Sequence, residues 1–336
     1  MAGKAGDPTT ASSRVEAIDQ FRGFAILLMV LADYLADIEA VPAWLKHAPD
    51  AGYTVIDLIA PLFVFAMGLT FGPSFRRRAA RAGLWPTYQH FITRNLALIG
   101  LGFLLTLAGD LTGVYPSTVN WGLLQALGAA GLLALVVIRL PLIGRAIAGL
   151  VLLAVYQLLL DRFWLADVIA APHNGPWGAL SWGALLILAT ALADLYHGDA
   201  SAVREPERAR RAYPWAGLAV LGAGLALAIV VPISKHRASA SFVLVSLGLS
   251  ALIFYGFHLL NARTSLRPPV LGAWGRNALL LYLLHGVVIG IFALPPSPAW
   301  YVDAPWWLVF MQAAALLGIL SAIGIYLDRR EWYWTL

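Results

Sequence analysis

The sequence predicts an all-α polytopic membrane protein of about ten transmembrane helices with both termini in the cytosol. Composition, the recurrence of apolar windows and the distribution of cations predict it. Of the 336 residues, 60% are hydrophobic and only 12% charged, with a mean hydropathy of +0.75. A soluble fold of this length cannot cover so much apolar surface. Apolar windows of about twenty residues recur between breaks rich in Pro, Gly and charge. They read as Ile18–Asp37, Val55–Phe71, Phe91–Leu107, Val119–Ile138, Ala146–Leu160, Leu180–Tyr196, Trp215–Pro232, Ser241–Leu260, Gly275–Leu294 and Trp306–Leu327. The fifth is the shortest and carries Gln157 near Asp161.

Ten crossings return the chain to the side on which it began. Of the 23 Lys and Arg, only Lys46, Arg162, Lys235 and Arg237 then fall on the far side. The positive-inside rule makes the richer side cytosolic, so the loop carrying His47 is expected outside. Trp164, Trp177, Trp182, Trp300, Trp306 and Trp307 are expected to form an aromatic belt there. The expected location is the inner (plasma) membrane. Residues 1–15 lack a signal-peptide pattern and read as a disordered cytosolic tail, with 16–336 as a single transmembrane domain. The charged stretch His197–Tyr213 reads as a solvated cytosolic loop. No internal repeat is visible.

Composition also excludes classes. With no cysteine there is no disulfide, zinc-thiolate site or thiol nucleophile, and no metal is expected. The net charge of +5 is accounted for by topology, so no nucleic-acid partner is expected. No Gly-rich phosphate loop points to ATP or NAD.

Ionisable groups at membrane depth are expensive and therefore functional candidates. Asp19 and Arg22 stand three apart at the start of the first window and can face one another. Arg22 and Asp33 are eleven apart, which returns to nearly the same face roughly 16 Å along the axis. The following loop carries His47, whose imidazole could act as a base or as a nucleophile. Asp33 is expected to orient His47 as a buried carboxylate does in a hydrolytic triad. Thr54-x-x-Asp57 reads equally as a capping box for the second window or as the source of an active-site carboxylate. Arg76, Arg77, Arg78 and Arg81 satisfy the positive-inside rule and would also attract anionic phosphates. Gln125, Asn277 and Tyr282 are intramembrane polar groups of the kind that join helices, and His285, three residues after Tyr282, is a second catalytic candidate. On residues alone, a transporter with a polar ladder and a non-catalytic glycan- or lipid-binding protein stay open beside an enzyme.

The pattern Asp19-x-Phe21-Arg22-Gly23, then Leu45-x-His47-Ala48, Gly52-x-Thr54-x-x-Asp57 and Pro61-x-Phe63-x-Phe65-x-Met67-Gly68 resembles the heparan-alpha-glucosaminide N-acetyltransferase family. Gly122-Leu123-Leu124-Gln125 and Gly275-Arg276-Asn277, with Tyr282 and His285, are weaker echoes of it. The resemblance implies a transmembrane acyltransferase that moves an acetyl group from cytosolic acetyl-CoA to an extracytoplasmic amino sugar or glycan. It implies catalysis by His47, with Asp33, Asp57 and His285 as further catalytic candidates. Asp19, Arg22, Arg76, Arg77, Arg78 and Asn277 are the candidates for holding acetyl-CoA, the co-substrate. The remaining expected partner is membrane lipid, and a homodimer stays open. Three departures bear on the acceptor: Asp33 stands where the family usually has Asn, HAPDAG replaces HA-x-W-x-G, and Ala126 replaces an Arg.

Overall fold

The protein is described by a computed structural model covering residues 8–111, 120–198, 206–264, 268–295 and 297–334, with side chains from residue 16 onward except at 109–111 and 206–209. Every regular element among the described residues is helical. In chain order the helices are α1 (Pro8–Leu35), α2 (Ile59–Ala82), α3 (Leu84–Leu111), α4 (Leu123–Val137), α5 (Leu142–Leu159), α6 (Leu165–Ala170), α7 (Gly175–His197), α8 (Pro206–Leu227), α9 (Ala240–Arg263), α10 (Pro269–Arg276), α11 (Ala278–Ala293) and α12 (Trp306–Arg329). Each of the ten apolar windows therefore carries a helix.

Among the described residues, six helical stretches are long and apolar enough to cross a membrane, or seven if α10 and α11 count as one bent span. These are α2, α3, α5 continued into α6, α7, α9 and α12. Helix α1 is not among them because it carries Asp19, Arg22 and Asp33 within one bilayer length. Helix α4 has 15 residues, and α8 opens on an arginine-rich turn. Two windows differ in shape from expectation. The short fifth window is part of a 29-residue stretch, because α5 runs through a π turn at Leu160–Trp164 into α6. The ninth is broken at Asn277, where α10 and α11 meet at 93°.

Helix α1 begins at Pro8, inside the segment 1–15 read as a tail. Of the cations expected on the cytosolic side, Lys4, Arg204 and Arg267 lie outside the described residues, as do the side chains of Arg14 and Arg208. So does 199–205, the middle of the expected charged loop. Ile143, Val151 and Leu158 on α5 and Trp307, Phe310 and Ile319 on α12 stand exposed. Lipid hydrocarbon is the environment that covers such surface. The chain is a multi-pass membrane protein.

The chain forms two compact units. The first comprises Met1–His47, Thr54–Ile59 and Ile253–Thr335. Here α1 lies against α10, α11 and α12. Gly23 meets the carbonyl of Leu271, and Gly275 meets the carbonyl of Asp19, so closely that a Cβ at either position would collide. Small residues give this approach, which dispersion then stabilises in the absence of a hydrophobic force between helices. Phe21 adds edge contacts to Phe254 and Phe257, at 5.5 and 6.0 Å. Near the other end of α1, the Tyr34 hydroxyl donates to Gln312 Oε1 at 2.7 Å, and its backbone carbonyl accepts from the Tyr301 hydroxyl at 2.9 Å.

The second unit comprises Ala48–Tyr53 and Ala60–Leu252, with α7 as its buried centre. Helix α7 packs against α4, α5 and α8, and α3 pairs with α4. Trp182 of α7 is a core residue whose indole donates to Asn174 Oδ1 at 3.2 Å, so it does not belong to the expected aromatic belt. Trp177, Trp300, Trp306 and Trp307 are exposed, as a belt requires. The loop 233–239 after α8 is pinned by side chains of three elements. Asn174 Nδ2 donates to the carbonyls of Lys235 (2.8 Å) and His236 (2.9 Å). The Tyr156 hydroxyl donates to Arg237 O (2.7 Å), and Ser181 Oγ donates to Ala238 O (2.6 Å).

Candidate active site

Between α1 and α2 the chain makes a 3-10 turn at Ala43–Leu45, passes His47, and makes a second at Ile56–Leu58. Asp57 sits in that second turn with its side chain fully buried. Its Oδ2 accepts from the Thr54 amide at 2.9 Å, which is one half of the expected capping box. Thr54 Oγ1 lies 2.8 Å from Lys46 O and 3.1 Å from the same Oδ2, so the threonine meets the carboxylate through both its amide and its hydroxyl. Oδ1 of the same carboxylate lies 2.8 Å from His47 Nδ1. One oxygen of Asp57 thus serves the turn at Thr54 and the other faces the His47 ring.

A carboxylate facing Nδ1 holds the proton there, which is the arrangement that makes Nε2 the basic nitrogen of an imidazole. The His47 side chain is 43% exposed, while its partner is wholly enclosed. The pair therefore has a fixed end and an accessible end. Burial strengthens the hydrogen bond that orients the ring.

The expected pairing of Asp33 with His47 is not what forms. Asp33 Oδ2 lies 2.9 Å from His285 Nε2, on α11, and the His285 Nδ1–H donates to the carbonyl of Tyr282. The reason is direction: Asp33 lies on the face of α1 that meets α11, and Asp57 occupies the position beside His47. Both expected catalytic histidines therefore have a carboxylate, each a different one.

Toward the other end of α1, Arg22 Nη1 donates to Gly275 O at 3.3 Å and approaches Asp19 Oδ1 at 3.5 Å. Arg276 joins Asp19 to Asp328, donating to Asp328 through Nε at 2.5 Å and Nη2 at 2.7 Å. Asn277 is fully buried at the α10–α11 break, with Nδ2 directed to Ala273 O at 3.4 Å. Asp19, Arg22 and Asn277 thus all belong to the first unit, around its α1–α10 contact.

Arg76, Arg77 and Arg78 belong to the second unit. Arg77 and Arg78 are exposed on α2. Arg76 donates to Asp194 Oδ1 at 2.9 Å, and the buried Arg145 grips the other oxygen of Asp194. The sequence reading passed over Asp194, although a lone carboxylate inside the window Leu180–Tyr196 is the signal that finds such a residue. Gln125 serves its own helix, accepting from the Gly122 amide at 3.1 Å.

The model of the heparan-alpha-glucosaminide N-acetyltransferase catalytic domain matches residues 14–260. The chain belongs to that family. Membership makes it one of a family of transmembrane acetyltransferases. The match takes in Asp19, Arg22, Asp33, His47, Asp57 and Arg76–Arg78, and stops short of Asn277 and His285. No curated protein matches the chain. Of the two carboxylate–histidine pairs, only His47–Asp57 lies wholly within the matched residues.

Proposed function

We propose that the protein transfers an acetyl group from cytosolic acetyl-CoA to an amine or hydroxyl of an extracytoplasmic amino sugar or glycan. The observation that carries this is the His47–Asp57 pair, an accessible imidazole oriented by an enclosed carboxylate. In the transfer, His47 Nε2 takes the proton of the acceptor as its nitrogen or oxygen bonds to the acetyl carbon. The carbon–sulfur bond then breaks and CoA leaves as the thiolate. Alternatively Nε2 itself bonds to the acetyl carbon first as the carbon–sulfur bond breaks and CoA leaves as the thiolate; the acceptor then displaces the imidazole, which takes up the acceptor's proton. Asp57 does the same in both: it stabilises the positive ring. Arg22, with Asp19 and Asn277, is assigned to the CoA moiety, and Arg76–Arg78 to drawing its phosphates to the cytosolic mouth. Asp33 and His285 are assigned to the acceptor side.

The family resemblance supports acetyl-CoA as donor, and the cation distribution supports ten crossings with cytosolic termini in the inner membrane. Residues 16–336 act together as one acyltransferase domain. The 93° break at Asn277 is the one observation that favours a transporter instead, since transporters bind solutes at broken helices.

One experiment separates these readings. Purified protein is incubated with labelled acetyl-CoA, with and without a panel of amino sugars. Acceptor-dependent CoA release supports direct transfer, and a stoichiometric burst without acceptor supports an acetyl-histidine. Solute uptake into vesicles without CoA release would favour the transporter.

A further inference from the structure

Three residues past His47 the chain meets a second fixed structure. Asp50 accepts from Arg237 twice, from Nε at 2.7 Å and from Nη2, and from Ser234 Oγ at 3.1 Å. Two further links run beside it. The Gly52 amide donates to Ile233 O at 2.9 Å, and His236 Nε2–H donates to Ala48 O at 3.2 Å. Gly52 has φ 140°, a backbone conformation that side-chain-bearing residues rarely adopt, and so makes the turn toward Thr54. The segment 48–52 is thereby tied at three points to loop 233–239. That loop is itself pinned by Tyr156, Asn174 and Ser181.

The ion pair is half exposed, with 41% of the Asp50 side chain and 28% of the Arg237 side chain accessible. Exposed ion pairs add little stability. What a two-point guanidinium fork supplies is direction, since it fixes angle as well as distance. The pairing is strong enough to hold the Asp50 carboxyl below the usual carboxylate range. A device that contributes little stability and much geometry, placed three residues from an imidazole, has a role in placement.

We propose that the Asp50–Arg237 pair is a positioning clamp for acetyl transfer, holding the loop of His47 in the arrangement in which the imidazole meets the acceptor. This rests on the proposed role of His47. Neither Asp50 nor Arg237 touches the reacting atoms. Asp57 orients the ring, and the clamp holds residues 48–52, which follow His47 directly in the chain. Loss of the clamp frees the loop while leaving the CoA-binding arginines as they are.

The test uses the full chain in detergent, as Arg237→Ala, Asp50→Ala and the double variant, read by amide hydrogen exchange and by steady-state kinetics. Exchange should rise over residues 46–53 and 233–239 and nowhere else. The kcat should fall by up to about a hundredfold, the scale of a roughly 1 Å misplacement, with KM for acetyl-CoA unchanged. The double variant should be no worse than either single one, because each removes the same link. Arg237→Lys keeps the charge, loses the fork and should fall between. Unchanged exchange in the alanine variants would overturn the clamp. Raised exchange with unchanged kcat would overturn its role in placement, and exchange raised along the whole chain would assign the pair to general stability. The exchange measurement needs no substrate, so it decides the clamp even if the wild-type protein showed no acetyl transfer, a result that would sink the acetyltransferase reading instead.

Discussion

Asp57→Asn should disable the protein while leaving it folded. Among its contacts, the carboxylate accepts from the Thr54 amide at 2.9 Å and from the Thr54 hydroxyl at 3.1 Å through Oδ2, and faces His47 Nδ1 at 2.8 Å through Oδ1. An asparagine can keep both Thr54 contacts by turning its carbonyl to that residue. Its NH2 group then faces His47 Nδ1, which must become an acceptor. The ring proton moves to Nε2, and the basic nitrogen points into the protein. The fold loses one charge-assisted hydrogen bond, about 1.5–3 kcal/mol. Catalysis loses the correct tautomer, a change that in a Ser-His-Asp enzyme lowers turnover by about 10⁴. The assay is acceptor-dependent CoA release alongside acetyl-CoA binding by calorimetry. Turnover should fall by three to four orders of magnitude on that scale, with the dissociation constant for acetyl-CoA unchanged. Turnover within about threefold of wild type would refute the tautomer argument.

Four other predictions follow from the geometry. Arg22→Ala should weaken acetyl-CoA binding at least tenfold, as loss of a charge-assisted bond of about 1.5–3 kcal/mol requires; an unchanged dissociation constant would remove Arg22 from the donor site. Gly275→Ala places a methyl group on the carbonyl of Asp19, so α1 and α10 must part at a cost of about 1–3 kcal/mol; an unaltered thermal midpoint would contradict the packing. Cysteines introduced singly at Ala43 and Ala79 should react with impermeant reagent from opposite sides of the membrane, and reaction from one side only would invert the expected topology. The Asp50 carboxyl, held low chiefly by its hydrogen bond from Arg237, stabilises its loop fully above the ordinary carboxylate value of about 4 and progressively less as pH falls through its lower folded value. Exchange over 46–53, corrected for intrinsic rates, should therefore begin to rise as pH falls below about 4 and level off below the folded value, and Asp50→Asn should remove the pH dependence.

Much of the helical plan was legible because a membrane span is written in composition. What composition does not write is shape: the π turn at Leu160–Trp164 and the break at Asn277 lie inside windows that stay apolar throughout. The eleven-residue spacing of Arg22 and Asp33 placed both on one face of α1, and both do turn to the C-terminal helices, one to Gly275 and the other to His285. Spacing within a helix tells which residues share a face, but not which helix that face will meet. For that reason Asp33 was assigned to the nearby His47 when its partner lies 252 positions away. The contacts of Asp57 with Thr54 and His47 stand three and ten positions away, near enough in the chain for a sequence to suggest them. Asp50 and Arg237 carried no signal at all: two charged residues in separate loops resemble any solvated pair until the loops are seen side by side.

The partners of α1 also set an order in time. Gln20 meets Asn261, Arg22 meets Gly275, Asp19 meets Arg276, Asp33 meets His285 and Tyr34 meets Gln312. Every one of them is made from the last third of the chain. At about 5–20 residues per second of synthesis, the first helix waits some tens of seconds before its charges find their counterparts. Until then it is too polar to rest alone in hydrocarbon. A helix made well before its partners is thus among the last to settle. A truncation before α10 should leave an N-terminal helix that cannot be retained in the bilayer, however intact the helices between.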